Sequence, residues 1–93
     1  SKAPHFNYIG DSILGNDVNL GAGSKISNVR LDRQSVPIQL PDGSRIDSGL
    51  RKVGAMIGER SEIGCNVVTN PGAVIAPQSA VPPNMVVTGY WAN

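Results

Sequence analysis

Aliphatic or β-branched side chains recur every six residues along two stretches of the chain: Leu14, Leu20 and Ile26, then Ile57, Ile63, Thr69, Ile75, Val81 and Val87. An amphipathic helix repeats its apolar face every 3.6 residues and a half-buried strand every second residue, so neither produces a period of six. The position two residues before each of these is small or β-branched (Ser12, Val18, Ser24, Ala55, Ser61, Val67, Ala73 and Ser79), with Met85 the exception. Gly15, Gly21, Gly58 and Gly64 follow four of them directly. Such a hexad describes a short strand that sends one aliphatic side chain inward and then bends where a glycine or another small residue permits it. Three hexads close one triangular coil. The pattern therefore predicts an all-β solenoid, a left-handed parallel β-helix of hexapeptide repeats.

The repeat breaks once, between Leu31 and Val53, and divides the chain into two coil stacks. Inside the break, VPIQL and SRID flank Pro41-Asp42-Gly43. Proline presets its own φ and glycine accepts a positive one, so this tripeptide reads as a turn. We expect residues 32–52 to form a small β-hairpin projecting from the solenoid, with Ser48-Gly49-Leu50-Arg51-Lys52 returning to it. Pro82-Pro83-Asn84 should relax the coil before Val86 and Val87. Tyr90 and Trp91 either cap the open end or pack on a neighbouring subunit.

Length and charge narrow the partners. Ninety-three residues suit one domain, and a solenoid of three to four coils has a thin core and two open ends, so oligomerisation is expected. The formal charge is +1, the eight Lys and Arg are dispersed along the chain and aromatic residues are few, which argues against a nucleic-acid surface. Cys65 stands alone, fitting a reducing cytoplasm. No apolar run approaches the ~20 residues of a membrane-spanning helix. A start on Ser1 and Lys2, with the solenoid opening in mid-coil, suggests a piece of a longer protein.

The segment PHFNYIGDSILGNDVNLGAG, followed by SNVRLD and DSGLRKVGAMIGERSEIGCNV, resembles the C-terminal acetyltransferase domain of the bifunctional glucosamine-1-phosphate N-acetyltransferase / N-acetylglucosamine-1-phosphate uridyltransferase family over roughly residues 4–76. The RIDSGLRKVGAMIG stretch is most similar to the archaeal-type sugar-1-phosphate nucleotidylyltransferase/acetyltransferases. The resemblance implies transfer of an acetyl group from acetyl-coenzyme A to an amino-sugar 1-phosphate, in a homotrimer with its sites between subunits. It puts His5 in the place of the general base, a role suited to an imidazole that titrates near neutrality. It puts Tyr8 and Asn19 where the amino sugar and its phosphate are oriented, and Lys52 where a basic side chain reaches that phosphate. Ala22, Asn28 and Cys65 fall at coenzyme positions, Ala22 offering a backbone N–H to the thioester oxygen. Ser27-Asn28-Val29 lacks the tyrosine of the family's Cys-Asn-Tyr-like corner. No metal is implied.

Each assignment has a plainer competitor. Asn19 and Asn28 suit coil corners on backbone grounds alone. Cys65 serves packing as well as ligand contact, and Lys52 suits a solvated return strand. At the level of the whole chain, the competitor is a non-catalytic β-helix that only trimerises or regulates a sugar-1-phosphate nucleotidyltransferase. The metal-dependent carbonic-anhydrase branch of the same fold needs several histidine ligands, and the chain has one histidine.

Overall fold

The computed structural model describes residues 7–42 and 44–92. Among them lie thirteen short strands and no helix. In chain order, β1 (Tyr8–Ile9) precedes a first full coil of β2 (Ile13–Leu14), β3 (Asn19–Leu20) and β4 (Lys25–Ile26). The insertion holds β5 (Pro37–Gln39) and β6 (Arg45–Asp47). A second coil runs through β7 (Met56–Ile57), β8 (Glu62–Ile63) and β9 (Val68–Thr69), and a third through β10 (Val74–Ile75), β11 (Ala80–Val81) and β12 (Val86–Val87). The last strand is β13 (Tyr90–Trp91).

Strands stack in parallel by position in the coil: β1-β4-β9-β12 on one face, β13-β10-β7-β2 on the second and β11-β8-β3 on the third. The expected left-handed parallel β-helix is the observed architecture. Register between the second and third coils is three hexads throughout, as in Met56↔Val74, Glu62↔Ala80 and Val68↔Val86. Ile13 stacks on Met56 across the insertion, so the break in the repeat leaves the stacking intact. The ends tighten. Tyr8↔Lys25 is one residue short of three hexads, and Val74↔Tyr90 is two short. β1 was not anticipated by the six-residue count, because this shift takes Ile9 out of phase with Leu14.

Each hexad sends two side chains inward rather than one. Leu20, Ile26, Ile57, Ile63, Ile75, Val81 and Val87 are buried, and so are Val18, Ala55, Val67 and Ala73 two residues ahead of their neighbours in the pattern. A triangular interior has room for one large and one small residue per side, which explains the small partner. Where that partner is serine, its hydroxyl is satisfied by the backbone: Ser24 Oγ donates to Gly21 O at 2.8 Å and Ser61 Oγ to Ala76 O at 3.0 Å. Thr69 differs, as its Oγ1 is buried without a hydrogen-bond partner.

The bends do not fall where the glycines suggested. Positive φ is carried three residues after the large inward side chain, by Asp17, Gly23, Arg60, Asn66, Gly72, Gln78 and Asn84. Gly15 and Gly21 answer a different need, close approach between coils. A Cβ at Gly15 would lie 2.7 Å from Glu59 N, and one at Gly21 would lie 2.6 Å from Cys65 N.

Two further expectations are revised, and a third is narrowed. The hairpin of β5 and β6 is present, with Ile38 opposite Ile46, but its first strand lies along the solenoid instead of projecting from it. Val36 is fully buried, the Pro37 carbonyl fills the space beside Gly72, and Gln39 abuts Gly89. The coil does not relax at Pro82-Pro83-Asn84: Val86 keeps register on Val68, and Asn84 N donates to Cys65 O at 2.9 Å. Of the two roles open to the tail, Trp91 takes the cap. It stacks on Ile75, packs against the core and donates Nε1–H to Ala80 O at 3.3 Å. Among the described residues no helix is long and apolar enough to cross a membrane.

Candidate functional site

The insertion leaves the solenoid at the corner that follows β4, and at that corner polar side chains from three segments meet. Tyr8, on β1, donates its hydroxyl to Asn28 Oδ1 at 3.1 Å. Asn28 Nδ2 donates to Asp11 Oδ2 at 2.6 Å. With a hydroxyl donor on one side and a carboxylate on the other, the amide can point only one way. Backbone bonds fix the frame: Val53 N donates to Asn28 O at 2.9 Å and Gly54 N to Asp11 O at 2.8 Å. Gly10 is buried beneath the Asn28 side chain, and a Cβ there would stand 2.5 Å from Asn28 Cγ. Lys52, the last residue of the insertion, forms an antiparallel bridge with Val29 beside the same corner, its side chain exposed.

Ala22 and Cys65 lie together at the opposite edge of β4, where β3 turns into it. Asn66 N donates to Ala22 O at 2.9 Å, and Gly21 seats closely on the Cys65 amide. The Cys65 thiol is free and exposed. The two groups thus flank β4, whose exposed Lys25 stacks beside Tyr8. Asn19 belongs to neither. It sits on β3 opposite Glu62, on the β11-β8-β3 face. A corner of the triangle separates that face from the one carrying Tyr8. His5, the expected general base, lies outside the described residues, three positions before Tyr8.

Asp11 was missed from the sequence, though a signal for it existed. Asp11, Asp17 and Gly23 stand six residues apart and are of types that tolerate a left-handed backbone; all three adopt positive φ, so the bend positions extend the repeat one hexad earlier than the inward side chains do. The shifted carboxyls all belong to the insertion. Asp32 is held below its ordinary value of 3.8 chiefly by the Gln34 backbone N–H, Asp42 by the Ser44 hydroxyl and amide, and Asp47 by the Gly49 N–H.

Fold and corner together define the class of the hexapeptide-repeat left-handed β-helix. No protein-family model matches the chain. A bifunctional sugar-1-phosphate nucleotidylyltransferase/acetyltransferase of Sulfurisphaera tokodaii is 45% identical over 87 residues, covering 94% of this chain and 21% of that protein. The bifunctional protein GlmU of Methanococcus vannielii is 36% identical over 87 residues, 94% of this chain and 20% of its own length. A putative uncharacterized acetyltransferase, YaiX, of Escherichia coli K12 is 40% identical over 80 residues, 86% of this chain and 34% of that one. The chain is therefore homologous, over nearly all its length, to a part of the bifunctional sugar-1-phosphate nucleotidylyltransferase/acetyltransferases, and the resemblance read from its motifs holds. It spans about a fifth to a third of the length of these relatives.

Proposed function

We propose that the chain is the acetyltransferase part of such an enzyme and moves an acetyl group from acetyl-coenzyme A to the amine of an amino-sugar 1-phosphate, glucosamine-1-phosphate in the first instance. The observation that carries this is the Tyr8–Asn28–Asp11 hydrogen-bonded chain, held rigid by Gly10 and by the return of the insertion, with Lys52 at the same corner. An amide and a phenol held in one orientation at an exposed corner supply the polar contacts that a sugar ring requires, which favours catalysis over a scaffold that only trimerises. The names of the relatives support the reaction class.

Amine attack on a thioester needs a deprotonated nitrogen and stabilisation of charge on the carbonyl oxygen. His5 takes one ammonium proton, the new C–N bond forms, and as the C–S bond breaks the second proton of the attacking nitrogen passes to the departing sulfur, which leaves as the coenzyme thiol. Tyr8 and Asn28 orient the sugar, Lys52 meets its phosphate, and the Ala22–Cys65 edge carries the coenzyme. Asn19, on another face, contributes only across a boundary between subunits. We therefore read the working site as one shared between subunits of a homotrimer, a reading supported by the outward apolar row of Ile13, Met56 and Val74 and by Tyr90 beyond it.

The test is thiol release from acetyl-coenzyme A in the presence of glucosamine-1-phosphate. A general base contributes about 10²–10⁴-fold, so His5→Ala should lower the rate by that order while leaving the circular dichroism spectrum unchanged. Wild-type protein that releases no thiol above the blank would leave the scaffold role instead.

A further inference from the structure

The feet of the insertion close against one another. Val36 N donates to Leu50 O at 2.8 Å, Ser48 N donates to Val36 O at 3.1 Å, and Lys52 bridges to Val29. This closure sets Arg33, from the outgoing foot, beside Arg51 and Lys52 from the returning one. All three line a depression of about 420 Å³ whose remaining walls are the apolar Val29 and Leu50. Dispersed in the sequence, three of the eight basic side chains are thus gathered in one place. No carboxylate lines the depression. The ion pairs among the described residues are Arg30–Asp32 and Arg60–Glu59, so these three cations have no acidic partner. Three like charges on apolar walls repel one another, and an anion seated among them relieves that repulsion while gaining charge-assisted hydrogen bonds from two guanidinium forks.

We propose that this cup is a phosphomonoester site in which Arg33 and Arg51 join Lys52, so that the insertion supplies a phosphate grip. The identity of its ligand rests on the function proposed above. Two phosphomonoesters are then at hand, the sugar 1-phosphate and the 3′-phosphate of coenzyme A, and both offer the same three-oxygen anion. Its position next to Asn28 puts the bound phosphate beside the Tyr8–Asn28–Asp11 corner. No aromatic side chain lines the cup, so nothing in it stacks a nucleobase.

The experiment is calorimetric titration of the protein and of Arg33→Gln, Arg51→Gln and the double Arg→Lys variant with four ligands: glucosamine-1-phosphate, glucosamine, coenzyme A and dephospho-coenzyme A. Each Gln variant should weaken one phosphorylated ligand by about tenfold, spare its unphosphorylated counterpart, and lose that difference as salt screens the site. The Lys variant keeps the charge but not the forks, so it should lose affinity for that ligand by less than the Gln variants do. Loss confined to the sugar phosphate assigns the cup to the sugar, and loss confined to coenzyme A assigns it to the 3′-phosphate. Wild-type affinities in both Gln variants, equal losses for the unphosphorylated ligands, or no phosphate-dependent binding by the wild type would each overturn the proposal. Selective binding without acetyl transfer would reject the proposed reaction and keep the cup. Normal transfer with unchanged KM values in both Gln variants would do the reverse.

Discussion

Thr69 occupies an inward position that isoleucine or valine fills elsewhere in the solenoid, and its buried Oγ1 has no partner. A buried hydroxyl without a hydrogen bond carries a desolvation cost of about 1–3 kcal/mol. Thr69→Val keeps the shape and removes that atom, so it should raise the free energy of unfolding by about 1 kcal/mol in urea titration. The glycines following the inward side chains work the other way. A methyl group on Gly21 meets the Cys65 backbone, which cannot move without shifting the coil above. Gly21→Ala should therefore destabilise the fold by about 1–3 kcal/mol, the range for overpacking. An unchanged denaturation midpoint would show that the coils separate more readily than the structure implies.

The insertion is the element with the richest local chemistry. Its turns are tied by carboxylates: Asp42 accepts from Ser44 N at 2.9 Å, Asp32 from Gln34 N at 3.0 Å and Asp47 from Gly49 N at 3.0 Å. These bonds hold the three folded-state values below 3.8. Groups depressed on folding stabilise the insertion above their unfolded pKa, and the contribution disappears as pH falls through the folded values. Acidification below about pH 4 should therefore loosen residues 32–52 before the solenoid. Amide hydrogen exchange at pH 3 and pH 6, corrected for intrinsic rates, will show it. Equal protection of the hairpin at both values would mean that its docking through Val36 outweighs its turns.

At the scale of the molecule, stability comes from stacking. Successive coils meet through parallel backbone bonds, and Trp91 closes one end by packing on the last coil. The side faces differ in polarity. Asn19, Glu62 and Ala80 line one row, whereas Ile13, Met56 and Val74 form an apolar row on another, with Ile13 69% exposed. If the apolar row is the face joined in the proposed trimer, Met56→Glu should give monomers by sedimentation velocity where wild type sediments as trimers. It should also abolish acetyl transfer together with assembly. Wild-type protein that sediments as a monomer at micromolar concentration would remove the assembly and, with it, a role for Asn19 at the site.

The sequence by itself determined the solenoid, because one large inward side chain per hexad is a period no other regular structure shares, and it determined the hairpin through Pro41-Asp42 and the flanking strands. It also carried the resemblance that singled out Tyr8, Asn28 and Lys52. Tertiary structure alone decided which of these meet. Tyr8, Asp11 and Asn28 join because β1 stacks under β4, whereas Asn19 is turned away by a corner of the triangle. Likewise Arg33 and Arg51 are separated along the chain, and only the closing of the insertion's feet brings their charges together. Periodicity records which way a side chain faces, a local property of the backbone. Contact between coils depends on register and on where an insertion lands, and those are set by packing between segments distant in sequence.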